Sequence, residues 1–424
     1  MRLSRLISKT SKSAPHDADS VNATLLVQGG FVHQEMAGVY SWLPLGLRVL
    51  RKVEMIIREE MDALGAQEIL MSSLQPKEPW VQTGRWDTMD VLFKVPSQTK
   101  KEYALGPTHE EIVTPLIKAY ISSYKDLPCA VYQLQTKFRD ELRAKSGVLR
   151  GREFGMKDLY SFHLTQEDLD AFYERVLQAY LQIFARCGLL VKVVEASGGA
   201  FTKKVSHEFQ VLTEAGEDKI LTSPSWMYGQ NSEVATLKEG DPCPDHPEEA
   251  LAWHKGVEVG NIFDLGTTFS DTFHLMITNE AGVRQPILMG CYGIGVTRLV
   301  GTIVEACHDA RGIVWPKTVA PFHVHLVSLR SKDETTQKQI METTRMVYDT
   351  CKQRGIDVLW DDRESASPGE KFADADLVGM PLRLVVSEKT LQAEAVEWKD
   401  RTSTEMRMVK IEEVIQMIER QKNG

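Results

Sequence analysis

No apolar stretch of this chain is long enough to span a bilayer, so a helical membrane protein is excluded. Cysteine is scarce: six residues, Cys129, Cys187, Cys243, Cys291, Cys307 and Cys351, lie far apart along 424 positions. That pattern fits a reducing compartment and excludes a disulfide scaffold. Positive charge is in deficit, with 50 Lys and Arg against 59 Asp and Glu and a net charge of -9. Blanket electrostatic binding of nucleic acid is therefore excluded, although a local basic track is not. Internal repeats and low-complexity tracts are also missing. What remains is ordinary globular composition, 42% hydrophobic and 26% charged. At roughly 100–200 residues per domain, this length implies two to three domains.

The first residues carry Arg2, Arg5, Lys9 and Lys12, with no acid before Asp17. A transit peptide is one reading. A structured N-terminus is the other and the preferred one; without a long apolar core, a secretory signal does not fit. Leu47, Leu50, Val53, Ile57, Met61 and Leu64 form a helical stripe closed by Gly65. Gln67 to Leu74 reads as a strand stopped by Pro76. A second helix runs from about Glu167 to Cys187, with a capping start at Thr165 and Asp168. Lys137 to Phe162 reads as two strands around a polar loop. Pro286 to Met289 reads as a strand feeding a glycine-rich turn, with a helix from Val296. Pro316 and Pro321 bracket a connector, after which strands and helices alternate in a compact α/β pattern.

Three constellations carry chemistry. The first is Gly106-Pro107-Thr108-His109-Glu110-Glu111, before an apolar helix. It reads either as a capping box of Thr108 and Glu111 or as a hydroxyl and a carboxylate offered to a cationic amine or imine. The second holds Lys137, Arg139, Glu141, Arg143, Lys145, Arg150, Arg152, Phe154 and Lys157. Alternation puts Arg152, Phe154, Met156, Asp158 and Tyr160 on one face. An arginine there can grip a phosphate and a phenylalanine can stack on a base, unless this is a solvated hairpin with scattered charge. The third is Gly290-Cys291-Tyr292-Gly293-Ile294-Gly295-Val296-Thr297-Arg298. A cation in the first turn opposes the helix dipole, so Arg298 needs another partner. Neither a Walker loop nor a dinucleotide fingerprint is present.

In order and spacing these segments resemble the three signature motifs of class II aminoacyl-tRNA synthetases, and among them the bacterial-type prolyl-tRNA synthetases. Motif 1 would lie at about 38–76, motif 2 at about 137–163 and motif 3 at about 290–306. SHEFQV from Ser206 and GVEVGNIFDLGT from Gly256 add to the likeness, which covers essentially the whole chain. The resemblance implies an α+β fold. An antiparallel-sheet catalytic domain over 1–315 would precede an α/β anticodon-binding domain over 316–424, in a homodimer whose apolar interface surrounds motif 1. It implies activation of L-proline with ATP and Mg²⁺ to prolyl-adenylate, then transfer to the 3′ end of tRNA(Pro). Arg139 and Arg298 would be the catalytic pair. Arg139 would hold the α-phosphate and the substrate carboxylate, and Arg298 would cover the adenine and reach the γ-phosphate. Glu141 and Phe154 would bind adenine, with Arg150 in the same ATP site. Thr108 and Glu110 would recognise the imino group, with Met156, Asp158, Asn261 and Cys291 lining the proline pocket. Arg363, Lys371 and Phe372 are offered as anticodon contacts from charge, aromaticity and position.

Three departures from the family pattern stand out. Elements already expected between His163 and Gly290 leave no room for a domain-sized editing insertion, so no cis-editing is expected. Asn261 stands where relatives usually carry His. Cys243 and His246 have metal-like spacing, but four ligands cannot be assembled and no protein-held metal is expected. Two other readings remain: a catalytically inactive paralogue acting as a binding or regulatory protein, and a class II ligase for threonine, serine or glycine. A cytoplasmic bacterial location is expected.

Overall fold

The structure, a computed structural model, describes residues 1–14, 18–199 and 201–423. Two compact units result: Gln34–Tyr40 with Val53–Thr302, and Met1–His33 with Ser41–Lys52 and Ile303–Gly424.

The first unit is built on a nine-stranded sheet. Its strands in chain order are β1 (Gln67–Glu68), β2 (Cys129–Phe138), β3 (Glu153–His163), β4 (Lys192–Ser197), β5 (Val205–Leu212), β6 (Asp218–Thr222), β7 (Tyr228–Asn231), β8 (Ala252–Gly266) and β9 (Leu288–Gly295). They lie in the order β5-β4-β7-β6-β8-β9-β3-β2-β1, antiparallel except for β1 with β2 and β4 with β7. Register does the positioning. Gln133 pairs Asp158, Asp158 pairs Gly293, and Gly293 pairs Asn261, so four strands place one row of residues side by side. Directly paired residues face the same side of a sheet. The glycine in that row keeps the face open; a Cβ on Gly293 would stand 3.2 Å from Cε of Met156.

Three helices matter to the site: α1 (Glu110–Tyr120), α2 (Gln166–Arg186) and α3 (Val296–Ala306). The Thr165 hydroxyl accepts from the Asp168 amide and starts α2, as its sequence implies. Leu169, Phe172, Val176 and Ile183 bury one face of α2, and Tyr180 and Phe184 meet Phe209 of the sheet. Gly188 at φ 78° turns the chain out of the helix.

Two local expectations need correction. Gln67 to Leu74 is not one strand. Pairing on β2 stops after Ile69, because side chains replace the ladder: Gln133 accepts from the Met71 amide, and Gln135 donates to the Met71 carbonyl. Leu74–Pro76 then joins a separate three-stranded sheet. Likewise, Gly290, Gly293 and Gly295 do not form a turn but lie within β9. A Cβ on Gly290 would come within 2.1 Å of the Tyr292 hydroxyl.

The second unit holds a five-stranded sheet of β10 (Val324–Ser328), β11 (Val358–Asp361), β12 (Leu382–Val386), β13 (Ala395–Asp400) and β14 (Arg407–Lys410), ordered β11-β10-β12-β13-β14. Trp360, Trp398, Leu326 and Leu384 centre its core. The N-terminal residues are structured within this unit. Met1 donates its amine to the Val358 carbonyl at 2.6 Å and accepts from the Trp360 amide. Arg2 and Ser4 both bond the carboxylate of Asp362.

Gly38 ties the polar loop of motif 2 down. Its carbonyl accepts from the Arg152 amide at 2.7 Å, its φ is +75°, and a Cβ there would meet that of Ala144 at 2.5 Å. Gly65 shares the positive φ but has open space around it. Gly38→Ala should therefore cost about 2–3 kcal/mol, against about 1 kcal/mol for Gly65→Ala. Denaturant midpoints measure both; equal losses would show that the close approach at Gly38 is not real.

Candidate active site

A cavity of about 200 Å³ opens on the sheet face where β3, β8 and β9 run together. Thr108, Arg139, Glu141, Arg150, Phe154, Met156, Asp158, Asn261, Cys291 and Arg298 all line it. Residues from all three sequence constellations thus converge on one place.

Positive charge dominates one side. The Arg139 guanidinium lies over the Phe154 ring, 5.1 Å from its centroid, and donates to the Pro107 carbonyl at 3.4 Å. Among the described residues it has no carboxylate partner. Burial, and then the nearby Arg298, push its pKa below the ordinary arginine value. Arg298 has the partners its position in the first turn of α3 demands. It donates to the carbonyls of Leu149 and Glu258 and to the Glu258 carboxylate at 3.2 Å. Arg150 grips Glu141 through two nitrogens, at 3.0 and 2.8 Å, and holds Glu217 with its third. This cross-linking shapes the polar loop over the cavity.

Negative charge lies behind Thr108. The capping box does not form: His109 is the residue before α1 and makes no side-chain cap. Thr108 instead donates to the Glu110 carboxylate, at 2.6 and 2.8 Å to its two oxygens. Tyr160 and the Cys291 thiol donate to the same carboxylate at 3.2 and 3.3 Å. Glu110 is fully buried and does not line the cavity, whereas Thr108 and Cys291 do. Burial and the adjacent Glu110 raise the Cys291 pKa well above its ordinary value, so the group is a neutral donor rather than a nucleophile.

Beneath the floor lies a buried ionic group. Lys137 stands 2.8 Å from the Asp158 carboxylate and donates to Nδ1 of His109 at 2.5 Å. Gln133 also donates to Asp158, and His109 Nε2 bonds the Ser72 carbonyl. Burial would raise Asp158, but Lys137 and His109 outweigh it and hold the carboxyl below its usual range. Burial, and then Lys137, push His109 down to about 4.

Several of these residues escaped the sequence reading. Glu258, Phe201 and Phe263 line the cavity, yet Glu258 and Phe263 were legible only as parts of the GVEVGNIF stretch. His109 and Lys137 carried no signal beyond their place in the motifs.

The residues offered for the anticodon all lie in the second unit. Lys371 is buried, with its ammonium on the Ser328 carbonyl at 2.7 Å. Arg363 is paired with Asp361 and Asp374, and Phe372 lies under Arg383. Cys243 packs with Leu221, Trp226 and Leu251, an apolar setting that accounts for it without a ligand role.

The chain matches the family model described as the tRNA synthetase class II core domain (G, H, P, S and T) over residues 93–307, and that of an anticodon binding domain over 323–421. Its fold is that of a class II aminoacyl-tRNA synthetase. A proline–tRNA ligase of Caulobacter sp. (strain K31) is 40% identical over 448 positions, covering 100% of this chain and 99% of that protein. One of Legionella pneumophila (strain Corby) is 34% identical over 568 positions, covering 99% of each. The Giardia lamblia prolyl-tRNA synthetase in complex with prolyl-adenylate has the same fold, with a TM-score of 0.78, 21% identity and coverage of 94% of this chain and 77% of that one. The chain belongs to the proline–tRNA ligase family.

His109 links the buried group to pH. An unfolded histidine takes a proton near pH 6.5, whereas folded His109 resists until about 4. Across that window the unfolded chain binds more protons, so this group removes stability as pH falls. The full effect is on the order of 3 kcal/mol. His109→Gln should therefore lose less stability than the parent chain between pH 7 and pH 4.5, by urea midpoint. Equal losses in the two proteins would contradict the buried neutral imidazole.

Proposed function

We propose that this chain activates L-proline with ATP and transfers it to tRNA(Pro). The observation that carries the reading is the meeting of an uncompensated guanidinium, Arg139, with a hydroxyl-capped carboxylate, Thr108 on Glu110, at one cavity. Proline brings a carboxylate for the first and a secondary ammonium for the second. Its carboxylate is already a nucleophile toward the α-phosphorus, so no general base is needed. Positioning and charge stabilisation carry the rate.

In this reading Arg139 spans the α-phosphate and the proline carboxylate, Phe154 stacks on adenine, and Glu141 accepts from its amino group. Arg298 covers the other face and reaches the γ-phosphate, and Arg150 acts by holding Glu141. Met156, Asp158, Asn261 and Cys291 shape the proline pocket. Mg²⁺ fits a site whose ligands are mostly phosphate oxygens, because no cluster of three candidate ligands exists among the described residues. Bound there, Mg²⁺ would neutralise phosphate charge.

The catalytic role is assigned to residues 1–315 and anticodon binding to 316–424. Cis-editing is not part of the proposal. Helix α2, strands β4 to β8, a short helix at Thr268–Phe273 and a hairpin of Met276–Thr278 with Arg284–Pro286 occupy the segment between motifs 2 and 3, and the longest piece without strand or helix is the loop around Cys243. The alignment with the Legionella relative runs over 568 positions against 424 residues here, while that with the Caulobacter relative runs over only 448. A bacterial cytoplasmic setting rests on the bacterial sources of both relatives. No helix among the described residues is long and apolar enough to cross a membrane.

ATP–pyrophosphate exchange tested with each amino acid should respond to proline. Arg139→Ala should lower that exchange by about 10²–10³-fold, the usual loss of one preorganised donor to a developing charge. Exchange with no amino acid would favour the inactive paralogue instead. A homodimer is also proposed, because Met36, Met55, Leu70 and Leu74 around motif 1 are 59%, 52%, 76% and 51% exposed. Sedimentation at micromolar concentration should give twice the chain mass; a monomer would remove this part of the reading.

A further inference from the structure

Behind the Glu110 carboxylate lies a cation that neither the motifs nor the cavity wall includes. Arg85 is 8% exposed. Its Nη1 donates to Glu110 at 3.3 Å and to both oxygens of Glu111, at 3.0 and 3.2 Å. Trp80, Phe201 and Phe269 surround its guanidinium, with centroids 5.4, 5.1 and 5.5 Å away. Nε and Nη2 are buried and find no partner. One nitrogen thus does all the polar work while aromatic faces hold the rest of the plane. Phe201 in turn packs on Phe263 at 5.0 Å, and both rings line the cavity. Arg85 therefore touches the carboxylate and the aromatic wall of the same pocket from behind.

Charge counting gives this arrangement a function. Glu110 and Glu111 are adjacent and fully buried, and among the described residues Arg85 is the one cation in ion-pair contact with them. Two buried carboxylates against one guanidinium leave one negative charge without a counter-ion. Uncompensated buried charge is costly, so a proton or a second cation is required. We infer that Arg85 is a positioning residue of the imino-group subsite: it fixes Glu110 under Thr108 and balances one buried carboxylate, leaving a single negative charge for the substrate's secondary ammonium. This rests on the reading of Thr108 and Glu110 as that subsite.

In the empty site a proton supplies the missing charge. Burial pushes Glu111 up to about 7, Arg85 opposes that rise, and Glu110 adds to it. Tyr160 and Cys291 also face this pair, both raised and therefore neutral, Thr83 donates to Glu111 at 3.0 Å, and Arg139 on the cavity side interacts electrostatically with Glu110 without an ion-pair contact. Farther along the floor, the Lys137–Asp158 pair is internally balanced and His109 is uncharged at neutral pH. When proline enters as a zwitterion, its ammonium supplies the missing charge in place of the proton on Glu111, which leaves for water. Proline binding near neutral pH therefore releases up to one proton.

Two measurements test this on the full chain. Calorimetric titration with proline near pH 7, in buffers of different ionisation enthalpy, should show proton release; none between pH 6 and pH 8 would overturn the charge count. In ATP–pyrophosphate exchange, Arg85→Met should raise the KM for proline roughly 10- to 100-fold, as expected when a buried charged group loses its partner. The KM for ATP should stay within about 2-fold, since Arg85 touches none of the residues assigned to ATP. The acidic limb of kcat/KM for proline should move to higher pH, because Arg85 holds the carboxyl pair down. Arg85→Lys keeps the cation without the planar fork and should give a smaller rise; it decides the matter if the Met variant does not fold. An unchanged KM for proline in both variants would overturn the inference. Glu110→Gln separates the two layers. If it raises the KM for proline while the Arg85 variants do not, only the role of Arg85 falls; if it has no effect, the subsite reading falls too.

Discussion

Two guanidiniums, Arg139 and Arg298, reach one cavity from separate elements, and the rest of the site is organised around their repulsion. Like charges in a partly buried place are unstable unless each is tethered or an anion lies between them. Arg298 is tethered by Glu258 and two carbonyls. Among the described residues, Arg139 is held by an aromatic ring and one carbonyl. The imbalance leaves a standing positive field aimed at the cavity, which suits a phosphate.

The opposite sign is built just as deliberately but deeper. Glu110, Glu111 and Arg85 sit behind Thr108, while Lys137, Asp158 and His109 sit under the floor. The second group cancels internally and fixes the rows of the sheet. The first holds one carboxylate more than its guanidinium balances, and a proton covers that excess until a cation displaces it. The cavity is consequently positive on one side and ready to receive a cation on the other. A zwitterion would be oriented by that contrast before any covalent step, and orientation is what an in-line displacement needs.

Much of this was legible in the sequence. The three motifs, the helical stripe closed by Gly65 and the alternating strands of the second unit carry strong local signals. Sheet alternation alone put Phe154, Met156 and Asp158 on one face. What stayed hidden has a common physical cause. Arg85 lies about twenty-five residues before Glu110, and buried ion pairs at such separations follow from tertiary packing, not local pattern. The pairing of Arg363 with Asp361 and Asp374 was hidden in the same way, since sequence shows a charge but not its partner. The glycines of β9 misled in another way. Three glycines near a helix start suggest a turn, yet here they are strand positions: Gly290 has no room for a Cβ against Tyr292, and Gly293 and Gly295 lie close to Met156 and Arg298.

The central claim is that Arg139 and Arg298 hold one triphosphate between them, Arg139 at the α-phosphate and Arg298 at the γ-phosphate. A double-mutant cycle on binding of a non-hydrolysable ATP analogue tests it most directly. Arg139→Ala, Arg298→Ala and the double variant would each be titrated by calorimetry. Residues that share a partner give interaction energies of about 0.5–3 kcal/mol in such a cycle. The account predicts a coupling of about 1 kcal/mol or more, with the double variant losing less than the sum of the single losses. Single losses that add within about 0.3 kcal/mol would mean that the two arginines act independently, and would contradict it.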